Sequence, residues 1–479
     1  MRSVRRLAVL ILAGGLAACA APVAITPVTL ANASERPVEV VVERDGDRWT
    51  AEFILDRDAP VWAFTRSALV QRTHQPWRPE QWTVETPGVV LERQGSRDVL
   101  RAADGGPVPR RVRVAIRPAS VDLEADYDPA LLFTDGSVAL YTAQFDVIPL
   151  QSREAARALP HDLNGVELAG GPARVTWRDR AGPVLFRGER RAEAVAWDAN
   201  TYVLFGQAGL VEGGRWATVI DPALPTWIGT ELRAFTPRVT DFYAGRLGPG
   251  GADTYTVMVS WDGPTPRRTS MGGSVLPGLV VMTFEGEGVV RPSEEILSRA
   301  RWFIGHESAH FWLGETVHYE RASDAWITEG GADLMAIRAL EAMDPAYDER
   351  AGLQKAVDDC LALSRGRSVA SAAERGEHRA YYACGAVFAL AAEGAVRRVG
   401  GRDWFDFLRP LVEANRKDGI LTRAEWLAEL TRVSGDSTLA RDMTRLLDEG
   451  SADPAAIVAA LFQRTGVPHR LEDGTVRLL

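Results

Sequence analysis

The pentapeptide His306-Glu307-Ser308-Ala309-His310 narrows what this chain can be more than any other feature. On a helix, residues four apart share one face, so both imidazoles reach a single point. The neighbours Phe303, Ile304, Phe311, Trp312 and Leu313 are apolar, which marks the stretch for burial. Burying imidazoles and a carboxylate without partners costs several kcal/mol, and a metal ion supplies partners. The chain holds seven histidines, and two of them fall at this spacing. That weighs against a solvated helix face carrying them by chance. Neutral imidazole suits zinc, which in catalytic sites takes three protein ligands and keeps a position open for water. Glu307 sits roughly 100° around the helix from His306, beside that water rather than on the metal, where it can take the water's proton.

Ser293, followed by Glu294 and Glu295, is a suitable N-cap for this helix. The apolar pattern carries it to about Leu313, and Gly314 stops it. A second helix is expected over 325–340. It contains Trp326-Ile327-Thr328-Glu329-Gly330-Gly331-Ala332-Asp333, and Glu329 follows His310 by 19 residues. One helix would then supply two imidazoles and the next would return a carboxylate as third ligand. Asp333, one turn on, is either an orienting partner for a ligand or a solvated helical aspartate.

The segment from His306 to Ala332 resembles the aminopeptidase N family of zinc peptidases, the gluzincin type with a thermolysin-like catalytic domain. Trp312, Gly314, Val317, Asp324, Trp326, Gly330 and Ala332 match that pattern without a gap. The resemblance implies one Zn2+ per chain on His306, His310 and Glu329, Glu307 as general base, and a peptide or protein substrate. In Tyr381-Tyr382-Ala383-Cys384-Gly385-Ala386 it implies Tyr382 as donor to the oxyanion, although the family's Lys is replaced by Cys384. The family's Gly-Ala-Met-Glu-Asn loop corresponds to Gly272-Gly273-Ser274-Val275-Leu276, ahead of Pro277-Gly278. Gly272 and Gly273 are thereby expected to contact substrate. Val275 stands where the family's Glu grips a free amino terminus, and an aliphatic side chain does not bind ammonium. The expected activity is therefore peptide-bond hydrolysis by a metallopeptidase that is not a classical aminopeptidase. The alternative is a non-catalytic envelope lipoprotein that keeps the zinc site and binds a peptide or protein. The strand over 278–284 is either the edge that pairs with a peptide or a core strand after a turn.

The rest of the chain sets the context. Arg2, Arg5 and Arg6 precede a short apolar run that ends in Leu16-Ala17-Ala18-Cys19, a match to the bacterial lipobox. Residues 1–18 read as a signal peptide, Cys19 as a lipidated anchor and 19–35 as a tether. Ala20, in place of Asp, points to the outer membrane, facing the periplasm. Short alternating runs over 38–42, 111–116, 138–147 and 173–177, with a hairpin in 202–220, make 36–210 an N-terminal β domain. Residues 211–479 make an α+β domain that becomes mostly helical. With the resemblance, the fold class is multidomain α+β with a thermolysin-like second domain. Cys360 and Cys384 either pair in an oxidising envelope or stay as two buried thiols. The net charge of -9 and the lack of a basic run leave no footprint for nucleic acid.

Overall fold

Val40 and Val42 alternate with more exposed neighbours along Glu39–Asp45, and this period of two buries one face of the strand. The strand turns at Gly46 into an antiparallel partner, Arg48–Ile54, and pairs on its other side with Arg174–Asp179 in parallel. These are central strands of a six-stranded sheet completed by Glu193–Trp197, Arg111–Ile116 and Trp82–Val84. A four-stranded and a five-stranded sheet complete the N-terminal β-rich region, around a core that includes Phe53, Trp62, Phe64 and Trp177. The computed structural model describes residues 37–479 apart from 125, 162, 164, 165, 214 and 253. The leader, the tether and Cys19 lie outside the described residues. The run expected over 138–147 divides into Val138–Tyr141 and Val147–Leu150, which join different sheets. Between them Thr142–Phe145 forms a 3-10 turn, tied down by the Thr142 hydroxyl on the Ala199 carbonyl. Tyr202–Phe205 likewise stays with the N-terminal sheets.

The second region opens with the hairpin of β1 (Leu210–Gly213) and β2 (Trp216–Ile220). With β3 (Tyr255–Trp261), β4 (Ser270–Leu276) and β5 (Leu279–Glu285) they form a sheet in the order β1-β2-β3-β5-β4. Strand β3 is buried at every position rather than at alternate ones. Both faces of this sheet are covered, so its inner strands are apolar throughout. Val219, Met258, Leu276, Leu279 and Val281 meet Leu131, Tyr141, Leu185, Tyr202 and Leu204 of the N-terminal region in one core cluster. Helix α1 (Thr226–Leu247) and the helices after it lie against the other face in a second, larger core.

Four helices follow, α2 (Glu294–Ala309), α3 (Trp326–Met343), α4 (Glu349–Leu363) and α5 (Arg379–Arg398), and α2, α3 and α5 carry the site. Four more, over Trp404–Asn415, Arg423–Ser434, Ser437–Asp448 and Pro454–Thr465, follow where the periodicity places them. The architecture is thus a β-rich N-terminal part followed by a mainly helical α+β part, as the sequence led us to expect. Cys360 on α4 and Cys384 on α5 are joined in a disulfide. Among the described residues no helix is long and apolar enough to cross a membrane.

Two features of this frame position the site. Helices α3 and α5 cross with backbone against backbone at Gly330 and Gly385. A Cβ on Gly330 would lie 2.1 Å from the Gly385 carbonyl carbon, and one on Gly385 would lie 2.2 Å from the Trp326 carbonyl oxygen. Strand β5 lies between β3 and β4, so it is the core strand of the two readings open for 278–284. One of the sheet's two edges is β4, which carries Gly272, Gly273 and Val275.

Candidate metal centre

Helix α2 begins as its sequence implies, with the Ser293 hydroxyl accepting from the Ile296 amide. It ends at Ala309, earlier than the expected Leu313, because the chain reverses there. The Glu315 amide donates back to the His310 carbonyl at 3.0 Å, and the Gly314 amide donates to the Val317 carbonyl at 2.7 Å. Gly314 makes this reversal at φ 154°, where a Cβ would lie 2.9 Å from the His310 carbonyl oxygen. His310 caps the helix with helical dihedrals, so its side chain still shares a face with His306.

The two imidazoles and Glu329 converge. His306 Nε2 and His310 Nε2 are 3.1 Å apart, and each lies 3.5 Å from Glu329 Oε2. The far nitrogens each lie against an oxygen. His310 Nδ1 donates to the Leu313 carbonyl at 2.8 Å, and His306 Nδ1 lies 2.8 Å from Asp333 Oδ1. In the neutral ring, the carbonyl at Nδ1 of His310 holds the proton there and leaves its Nε2 lone pair facing Glu329, and Asp333 offers His306 a charge partner on its far side. Three electron-pair donors thus meet in a buried space, and Glu329 Oε2 has no hydrogen-bond partner. Such a set could hold a metal ion. Its two imidazole nitrogens and one carboxylate oxygen are the donor types zinc takes. Asp333 is 4% exposed, so of its two readings the structure selects the orienting partner.

Electrostatics around the cluster are strong. Burial alone would push His306 down, but Asp333 and Glu329 outweigh it and hold the imidazole well above its usual range. His310 is likewise raised against burial, chiefly by Glu329. Burial opposes ionisation of Glu329, yet His310 and His306 hold it far below the ordinary carboxylate range. Glu307 moves the other way. Burial raises it, against the pull of His306 and His310. A carboxylate with raised proton affinity is suited to general-base work. The Tyr382 ring stacks on His306 with centroids 5.6 Å apart. Burial, and then Glu329 and Glu307, raise its phenol well above the ordinary range, so it stays a proton donor.

His306, Glu307, His310, Glu329 and Tyr382 therefore come together, while Gly272 and Gly273 lie on the neighbouring free edge of β4. Sequence reasoning missed Tyr127. This tyrosine of the N-terminal region donates from its hydroxyl to the Val275 carbonyl at 3.2 Å, and its phenol feels both Glu307 and Glu329. It precedes Val275 by 148 residues, and no local pattern marks it. Tyr319, whose phenol is raised by burial and by Glu329, was missed for the same reason.

No family model matches the sequence, and no curated protein matches it. Solved structures do. The aminopeptidase N family protein from Idiomarina loihiensis aligns with TM-score 0.60 and 13% identity, over 88% of this chain and 78% of its own. This chain has the aminopeptidase N fold. Leukotriene A4 hydrolase from Saccharomyces cerevisiae aligns with TM-score 0.49 and 13% identity, over 88% of this chain and 69% of the hydrolase. An M1 zinc metallopeptidase from Deinococcus radiodurans aligns with TM-score 0.47 and 16% identity, over 87% of this chain and 95% of its own. In the aminopeptidase N fold of this chain, the candidate metal centre joins α2 and α3, and α2 packs against β4.

Proposed function

We propose that this protein is a zinc-dependent hydrolase of peptide bonds. The reading is carried by the convergence of His306 Nε2, His310 Nε2 and Glu329 Oε2 on one buried point, with Glu307 beside them. Zinc, when bound there, supplies the Lewis acid that activates a water and polarises a carbonyl. Glu307 takes the proton of the attacking water at its carboxylate and returns it to the leaving amine. Tyr382 donates its phenolic hydrogen to the carbonyl oxygen as negative charge develops there. Gly272 and Gly273 receive the peptide backbone along the free edge of β4. Val275 offers no anchor to an ammonium group, so the protein is not a classical aminopeptidase.

Val275 and Cys384, where the resemblance expects Glu and Lys, favour a second reading, a non-catalytic peptide- or protein-binding lipoprotein that keeps the zinc site. Under either reading we place the protein in the bacterial cell envelope, lipid-anchored at Cys19 in the outer membrane and facing the periplasm. The lipobox supports this, and the Cys360–Cys384 disulfide suits an oxidising compartment. We also propose the division into a signal peptide (1–18), a tether (19–35), a β domain (36–210) and a catalytic domain (211–479).

Cleavage of a peptide library, read by mass spectrometry, tests the hydrolase. Peptides with acetylated amino termini are expected to be cut within about threefold of their free counterparts. Acetylation leaves intact every contact named above and removes only an ammonium group that Val275 does not bind. Strict dependence on a free amino terminus would contradict the reading. Absence of any cleavage by zinc-loaded protein would favour the binding protein.

A further inference from the structure

The six-stranded N-terminal sheet turns an apolar edge toward solvent. In its edge strand, Glu193–Trp197, Ala194 and Ala196 are buried while Glu193, Val195 and Trp197 are exposed. A sheet face that meets water ordinarily carries polar side chains. Here Val195 is 39% exposed and Trp197 63%. The chain has 14 tryptophans, all among the described residues, and Trp197 is the one that is exposed. Register extends this face across the sheet. Val195 stands beside Thr176 and then Val41, both half-buried, and Trp197 stands beside Arg174 and then Glu39.

The face lies where the amino-terminal segment enters the fold. Pro37 and Val38, the first described residues, line a cavity of about 180 Å³ together with Trp197, Pro149, Gly170 and Gly171. Cys19, the proposed point of lipid attachment, precedes Pro37 by 18 residues. A chain of that length spans at most about 65 Å. A bilayer held at Cys19 is therefore within that reach of this end of the sheet, and contact through this end draws on the least chain. Charge on the face is close to balanced. Glu193 is paired with Arg178, and Glu43 with Arg180 at 2.9 Å. Arg174, next to Trp197, forms no ion pair among the described residues, and neither does Glu39. Tryptophan has an apolar body and a single N–H donor, and it gathers where hydrocarbon meets water. A guanidinium beside it suits a lipid phosphate.

We propose that the face of Val195 and Trp197 rests on the bilayer surface, with the Trp197 ring among the lipid headgroups and Arg174 against a phosphate. The inference rests on the lipid-anchor reading and adds to it the face that meets the membrane. Acyl chains on Cys19 hold the protein to the bilayer but leave its orientation open. The second contact fixes that orientation. One exposed valine needs no explanation, whereas a valine and a tryptophan exposed together on one strand, beside the point of entry, form a patch.

The test uses the full-length chain, exported and purified in its mature form, in vesicles of phosphatidylethanolamine and phosphatidylglycerol. A share of the lipid carries brominated acyl chains, which quench tryptophans that touch the bilayer and spare those inside the protein. The native protein is expected to lose about one part in 14 of its tryptophan emission, the share of one residue among 14. Trp197→Phe is expected to lose none, and because the position is exposed the variant should melt as the native protein does. The mass of the amino-terminal peptide reports separately whether Cys19 carries lipid. Lipidated protein that brominated lipid does not quench would overturn the proposal and leave the anchor reading standing, as would quenching that Trp197→Phe retains. Protein without lipid refutes the anchor reading, and the same vesicles still decide. Quenching that then grows with lipid concentration, and vanishes in Trp197→Phe, supports the face as a membrane contact by itself; no quenching overturns it. A dimer in detergent that Trp197→Ala dissociates would assign the edge strand to a second copy of the chain, and would also overturn the proposal.

Discussion

Glu307→Gln is expected to lower peptide turnover by about 10²- to 10⁴-fold, the range that a positioned general base contributes, with zinc content unchanged. Glutamine keeps the size and planarity of the side chain, so packing in this buried position is preserved. It does not accept a proton, and so removes the one role assigned to Glu307. The atoms that could hold a metal belong to His306, His310 and Glu329, all within 4.8 Å of one another, and Glu307 is outside that set. The loss should therefore fall on kcat, with a smaller change in KM. Turnover on a library-selected peptide, measured beside zinc per chain, checks this. Equal turnover by the two proteins would remove Glu307 from the mechanism.

The second large effect is expected at Gly330, which touches neither substrate nor metal. Its Cα lies against the backbone of Gly385, so an added Cβ would sit 2.1–2.3 Å from Gly385 and Ala386 main-chain atoms. Backbone on a second helix does not swing aside as a side chain does, so α3 and α5 must move apart. Glu329 is on α3 and Tyr382 on α5, and Glu329 is close enough to raise the Tyr382 phenol. Separating the helices by about 1 Å would pull them out of register, and misplacement on that scale costs about 100-fold in rate. Gly330→Ala should thus lose about two orders of magnitude in kcat/KM and melt at a lower temperature than the native protein. The control is Gly245→Ala on α1, where an added Cβ meets nothing within 4 Å and activity should be unchanged. A Gly330→Ala protein with native melting and full activity would show that the crossing does not position the site.

The convergence of the two imidazoles was legible because helical periodicity is local. His306 and His310 share a face wherever a helix forms, and the apolar residues around them announce its burial. Glu329 needed the resemblance as well, since 19 residues and a reversal of the chain separate it from His310. That reversal shortened α2, and no period in the sequence reports it. The order of the N-terminal sheets was out of reach for a different reason. Glu39–Asp45 pairs with Arg174–Asp179 through contacts far apart in the chain, which alternation does not specify. Tyr127 arrives beside Val275 through the same long-range packing. The edge strand could have been found with one more step. Ser270–Leu276 carries the glycines and the polar Ser274, whereas Leu279–Glu285 is nearly continuous in apolar residues, the mark of a strand with neighbours on both sides.

Zinc per chain, measured by mass spectrometry after purification without chelator, tests the central claim most directly. The account predicts one zinc ion in the native protein. It predicts none retained when His306→Ala, His310→Ala and Glu329→Ala are combined, because the three converging lone-pair donors are then gone. A native protein that takes up no zinc, or a triple variant that takes up as much as the native one, would contradict it.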